Sequence, residues 1–397
     1  MARQSRKVFL HIGAMKTGTS YLQEVLRQHK AALADDGILF PGANGWSDQV
    51  MATKDVLGLH VSPEIAHRAD GAWDRLRDEM LQFEGRASVV SMEFMSFARR
   101  ELAAKVANSL RNVELHVILT VRDASRVIPA QWQESTQNRD IASWQEYAAA
   151  VLAGADRDNP AWRAFQRALN IPRILRAWSG AVPPERMHVV LVPAPGSPPD
   201  QLWTRFASVV GIDAERFPPL PGERNVSLGY ASADLMRRVN AHLTDLEQTT
   251  YGRTVKRHLC KRILSARRDE PKMSMNRQLG EFSLDWNRNM ADAIARQGCE
   301  VVGELTDLDV APTTVEILEP PDQRQVLGAA ADAVNGMQEL IKQRAIQSTP
   351  DTEAREPATS SSWDPTPDPI DAAVADVVEL IREAIELRRQ RQKVGGR

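Results

Sequence analysis

The segment His11–Ser20, HIGAMKTGTS, carries the end of a strand, a turn bounded by two glycines and the start of a helix within ten residues. No other feature constrains the fold as much. Lys7–Ile12 is rich in β-branched and aromatic residues and reads as a buried strand that Gly13 ends. Thr19–His29 then places Leu22, Val25 and Leu26 on one helical face. Between them, Gly13 and Gly18 allow a sharp turn whose successive N–H groups point inward. The helix start adds the positive end of its dipole. Lys16 adds a full charge, and Thr17, Thr19 and Ser20 add hydroxyl donors. Gly13, Ala14, Lys16, Thr17, Gly18, Thr19 and Ser20 are therefore expected to form a phosphate-binding loop.

Such a loop belongs on a parallel sheet, and the rest of the chain supplies the strands. Gly37–Phe40, Ala87–Met92, Val113–Val121 and Met187–Val192 read as short strands, the last three almost wholly apolar. Helical patterns such as Trp73–Phe83 and Leu102–Leu110 lie between them. The alternation predicts an α/β fold with a doubly wound, mostly parallel sheet flanked by helices, P-loop-like in type. A folded domain is expected over residues 1–312, with an extension over 313–346. Residues 347–369 are polar and rich in Pro, Ser and Thr, and read as a disordered linker. Over 370–397, Ile370, Ala373, Val377, Leu380, Ala384 and Leu387 recur at heptad spacing, with Val374, Val378, Ile381 and Ile385 widening the stripe. That amphipathic helix is expected either to dock on its own chain or to mediate self-association.

Lys plus Arg number 50 against 52 Asp plus Glu, a balance that argues against nucleic acid as a partner. Two cysteines are too few for a disulfide framework or a zinc site of the usual spacing. No apolar run is long enough to span a bilayer, and the basic N-terminus leads directly into the first strand, so a cytoplasmic location is expected.

The order of residues within the loop separates nucleotide classes. A nucleoside-triphosphatase loop sets its lysine after the second glycine; here Lys16 precedes Gly18, and Thr19 stands where that lysine would be. In this respect HIGAMKTGTSYLQ resembles the 5′-phosphosulfate loop of the bacterial sulfotransferases, with weaker similarity extending to about Asp309. The resemblance implies 3′-phosphoadenosine 5′-phosphosulfate as co-substrate, no metal, and transfer of a sulfuryl group to a small-molecule, lipid or carbohydrate acceptor. It gives Lys16 the bridging oxygen and the loop the 5′-phosphate. Arg122, in VRDASR after the fourth strand, matches the family's 3′-phosphate arginine; the serine usual eight residues later is Ala130 here. Glu93, just past the third strand, becomes the candidate general base, with His11 the alternative. Arg224 and Asn225, in ERNVSLG, resemble a late segment of the same group that closes over the nucleotide. Two other readings stand beside this one. An ATP-dependent P-loop kinase would use Asp123 as a magnesium carboxylate, and a non-catalytic nucleotide-binding scaffold would act through the C-terminal helix.

Overall fold

A computed structural model describes residues 6–154, 159–221, 227–268, 270–346 and 368–394. The contacts divide the chain into two compact units. The first comprises Met1–Gln131, Val151–Arg224 and Met275–Thr314, and the second Trp132–Ala150, Asn225–Ser274 and Val315–Arg397. The expected continuous domain over 1–312 is thus interrupted twice, because Trp132–Ala150 and Asn225–Ser274 group with Val315–Arg397 in the second unit. Arg224 and Asn225, and nearly all of the expected linker, lie outside the described residues.

The first unit is built on six strands: β1 (Lys7–His11), β2 (Ile38–Leu39), β3 (Ala87–Ser91), β4 (Glu114–Val121), β5 (Met187–Leu191) and β6 (Glu300–Val302). They lie in the order β2-β3-β1-β4-β5-β6, and every neighbouring pair is parallel. From β1 the chain passes to the edge strand β2, returns to place β3 between them, and then adds β4, β5 and β6 on the other side of β1. The strand order therefore reverses at β1, where open parallel sheets open a crevice at the carboxyl ends of their strands. Register decides what meets there: His11 pairs with Ser91 on one side and with Ile118 on the other. The residues leaving β1, β3 and β4 consequently emerge along one edge.

Helix α1 (Thr19–Gln28) follows the loop and buries Leu22, Val25 and Leu26. They join Phe9, Val89 and Ile118 of the sheet and Trp203 and Phe206 of helix α3 (Gln201–Val210) in one apolar core. Helix α2 (Ala124–Gln137) starts directly after β4. Trp203 is fully buried, as a core residue. At the opposite end of the sheet, His116 and His188 meet at 2.9 Å and reach Glu114 and Glu300 at 2.8 and 2.5 Å, bracing β4, β5 and β6.

The second unit is helical. Trp132, Trp144 and Tyr230 pack ring against ring, with centroids 5.8 and 5.7 Å apart, beside helix α4 (Tyr230–Ala241). The segment Gly252–Ile263 winds as a π-helix. Helices α6 (Gln323–Ile346) and α7 (Pro369–Val394), which follow helix α5 (Arg277–Gln297) in the chain, pack along each other. The C-terminal stripe is thus covered within the chain. Its buried seam runs through Ile370, Val374, Val377, Ile381 and Ala384 and not through Ala373 and Leu380, a shift of one position within the same heptad spacing. Ile381 is fully buried, so Ile381→Ala is expected to destabilise the second unit by about 2–4 kcal/mol, read from the midpoint of urea unfolding followed by circular dichroism.

Candidate functional site

The loop between β1 and α1 is fastened to the sheet by its backbone. Ile12 N donates to Ile118 O at 2.9 Å and Ala14 N to Thr120 O at 2.7 Å, which extends the β1–β4 ladder past the end of β1. Thr17 Oγ1 donates to Ala14 O at 2.6 Å and lies 2.6 Å from Thr120 Oγ1. The Ala14 amide and the buried Thr17 hydroxyl therefore build the loop and are not its ligand donors, a correction to the expected set.

The glycines hold positions that other residues fill only with strain. Gly13 has φ +72°, and a Cβ there would fall 2.8 Å from Glu93 Cβ, so the loop lies directly against the end of β3. Gly18 caps α1 with φ +88°, and its missing Cβ leaves room for Leu202. Lys16 also has a positive φ, 64°, which costs a residue with a side chain about 1–2 kcal/mol. Backbone held in this way is found where a turn must present its amides. The amides of Gly18, Thr19 and Ser20 find no backbone acceptor among the described residues, and no side chain caps α1. The buried Thr19 hydroxyl likewise has no hydrogen-bond partner, while Ser20 is exposed at the first turn.

Arg122 leaves the end of β4 and turns toward the loop, donating from Nη1 to Lys16 O at 3.3 Å. Its Nε is buried and unpartnered, and no carboxylate pairs with it among the described residues. Burial, with repulsion from Arg126, pulls its pKa down to about 10. An arginine is rarely buried without a counter-charge, because its desolvation is then uncompensated. The adjacent carboxylate is committed elsewhere: Asp123 is fully buried, accepts from Arg126 N at 3.0 Å, and is bound by the side chains of Ser125 and Arg126. Ser125 is thereby used up as well. Ala130 lies on α2, partly buried.

Glu93 opens the short helical turn Glu93–Phe97 after β3 and is half-buried against Gly13. Gln23 of α1 ties it in place: its Nε2 donates to Ser91 O at 2.8 Å and approaches Glu93 Oε2 at 3.3 Å. The structure thus brings Lys16, Glu93, Arg122 and the first turn of α1 to one place. Gln23, one helical turn after Ser20, gave no signal of its own in the sequence beyond its position on α1.

His11 has the other fate open to it. The imidazole is completely buried, with Nδ1 2.7 Å from Ser91 Oγ and Nε2 3.1 Å from Thr120 Oγ1. Both ring nitrogens are engaged, and burial lowers the pKa from 6.5 to about 3. His11 is a core histidine, which leaves Glu93 as the candidate base.

Comparison with protein-family models, with curated proteins and with solved structures finds no match to this chain. Among the described residues no helix is long and apolar enough to cross a membrane, and no group of three or more His, Cys, Asp and Glu side chains is arranged to hold a metal ion.

The state of His11 has a consequence for acid stability. Between pH 6.5 and about 3 the unfolded chain binds a proton that the folded chain refuses. The stability contributed by neutral His11 is complete above about pH 6.5 and is lost as the pH falls toward 3. Urea midpoints measured from pH 7 down to pH 4 are expected to fall less steeply in His11→Asn than in the unaltered chain.

Proposed function

We propose that this protein is a sulfotransferase that moves a sulfuryl group from 3′-phosphoadenosine 5′-phosphosulfate to a hydroxyl or amine acceptor. The observation that carries the reading is Arg122, a partly buried cation with no ion-pair partner among the described residues, laid against a loop whose lysine precedes its second glycine. A guanidinium in that state is stabilised by an anion, and its planar fork suits a phosphate. The remaining donors, Thr19 Oγ1 and the first-turn amides of α1, suit a second phosphate. The donor set therefore fits a nucleotide phosphorylated at both ends of its ribose, and the sheet is compatible with a P-loop-like fold.

In this reading Arg122 holds the 3′-phosphate, and Lys16 with the amides of Gly18, Thr19 and Ser20 holds the 5′-phosphate. Glu93, oriented by Gln23, takes the proton from the acceptor hydroxyl as its oxygen forms a bond to sulfur. The sulfur–oxygen bond to the bridging oxygen breaks on the far side, and the negative charge that develops on the departing phosphate is met by Lys16 and the amides. A magnesium-dependent kinase would need Asp123 for the metal, but both oxygens of that carboxylate are committed to Ser125 and Arg126.

Three variants test the reading, two by transfer assay and one by melting temperature and calorimetry. With sulfur-labelled donor and a panel of carbohydrate, lipid and phenolic acceptors, Lys16→Met is expected to slow transfer by roughly 10²–10³-fold, with Glu93→Gln losing a comparable factor. Absence of any transfer in the unaltered chain, across the whole panel, contradicts the proposal. Arg122→Met removes a partly buried charge that forms no ion pair among the described residues. It is expected to preserve or raise the melting temperature while weakening adenosine 3′,5′-bisphosphate binding about 10–100-fold by calorimetry.

A further inference from the structure

The basic stretch of the second unit is not used by the proposed chemistry. Arg253, Arg257 and Arg262 lie on the π-wound segment Gly252–Ile263. Its i→i+5 bonding takes roughly four to five residues per turn, so arginines spaced four and five apart fall along one face. An ordinary α-helix would splay them. Arg388 and Arg389, near the end of α7, face the same region, and Thr250, Arg253, Thr254, Ile385, Arg388 and Arg389 line a pocket of about 50 Å³.

Three observations indicate what that pocket takes. First, the arginines have no counter-ions among the described residues. Ion pairs elsewhere in this unit join Lys256 to Glu134, Arg267 to Asp332 and Arg382 to Asp245. Among the described residues, none involves Arg253, Arg257, Arg262, Arg388 or Arg389. Second, Thr254, one of the residues that line the pocket, is almost completely buried, and its hydroxyl has no hydrogen-bond partner among the described residues. Third, the positive field is felt by a neighbouring side chain: burial and then Arg344, Arg262, Arg257 and Arg388 lower the pKa of His258 to about 4. Arg344 itself is fixed, with Nη1 donating to Ala384 O at 2.6 Å.

We infer that Thr254, Arg253 and Arg388 form a binding site for a tetrahedral oxyanion, the phosphate or sulfate group of a ligand. Like charges gathered without carboxylates repel one another, and an anion removes that cost. The volume holds a few water-sized groups, which suits one oxyanion and excludes a nucleotide from the pocket itself. The site belongs wholly to the second unit and does not depend on the phosphosulfate reading of the loop.

The test uses the full chain carrying Lys16→Met and Arg122→Met, so that anion binding at the loop is weakened and does not obscure the result. Calorimetric titration with inorganic sulfate and with phosphate at pH 7, against chloride at matched ionic strength, is expected to show saturable binding. Arg253→Gln with Arg388→Gln is expected to weaken it at least about tenfold, and Thr254→Val to weaken it less. The His258 ring resonances are expected to move on addition of sulfate and to stay still in the double variant. The unaltered melting temperature of Thr254→Val separates lost binding from lost folding. Vesicles containing phosphatidic acid distinguish the source: a His258 response to free anion assigns the site to soluble ligands, and a response to those vesicles alone assigns the same group to a lipid. No response to either, or binding unchanged in the double variant, overturns the inference.

Discussion

The arrangement of the candidate site depends on two backbone hydrogen bonds that continue the central ladder beyond its strand. Ile12 N to Ile118 O and Ala14 N to Thr120 O hold the loop to β4 after β1 has ended. With that anchor in place, Gly13 is pressed against Glu93, and Arg122 at the end of β4 reaches the carbonyl of Lys16. The sheet register thus turns three sequence-distant motifs into neighbours. Helix α1 then directs its unsatisfied amides at the same spot, because Gly18 adopts a left-handed conformation that places the helix start at the turn.

Around this anchor the molecule departs from what stability alone would favour. Lys16 is held at positive φ, Arg122 is buried without a carboxylate, and the Thr19 hydroxyl has no partner. The carboxylate nearest to Arg122 in sequence caps α2 and binds Arg126 instead. Each of these choices costs free energy, which in the proposed function an anion at the loop would offset. The second unit shows the same economy at Thr254 and its surrounding arginines. In both places the unpaired groups are donors or cations, so the chemistry sought is anionic.

Much of this was legible in the residues, and the failures have physical causes. The strand before the loop, the strand ending at Val121 and the strand before Glu93 announce themselves as apolar runs, and the loop by its glycines. The strand order, with its reversal at β1, is not among what those runs announce. The sequence does not say which hydroxyls face outward: Thr17 and Thr19 are both threonines near Gly18, yet Thr17 closes the loop and Thr19 is left without a partner. The fate of His11 depends on Ser91 and Thr120, which pairing brings together from far along the chain. Strand β6 is three residues long, too short for a periodic signal. The C-terminal stripe is wide enough to fit two seams one position apart, and packing against α6 selects the one through Val374 and Ile381. The excursions into the second unit leave no mark in composition, since Trp132–Ala150 reads like any other helical segment.

The central claim is that the loop and Arg122 together bind a nucleotide phosphorylated at the 3′ and 5′ positions. Isothermal calorimetry of the unaltered chain with adenosine 3′,5′-bisphosphate, and separately with ATP and magnesium, tests it most directly. The account expects stoichiometric binding of the bisphosphate without metal and much weaker binding of ATP. Tight, magnesium-dependent binding of ATP with no detectable binding of the bisphosphate would contradict it.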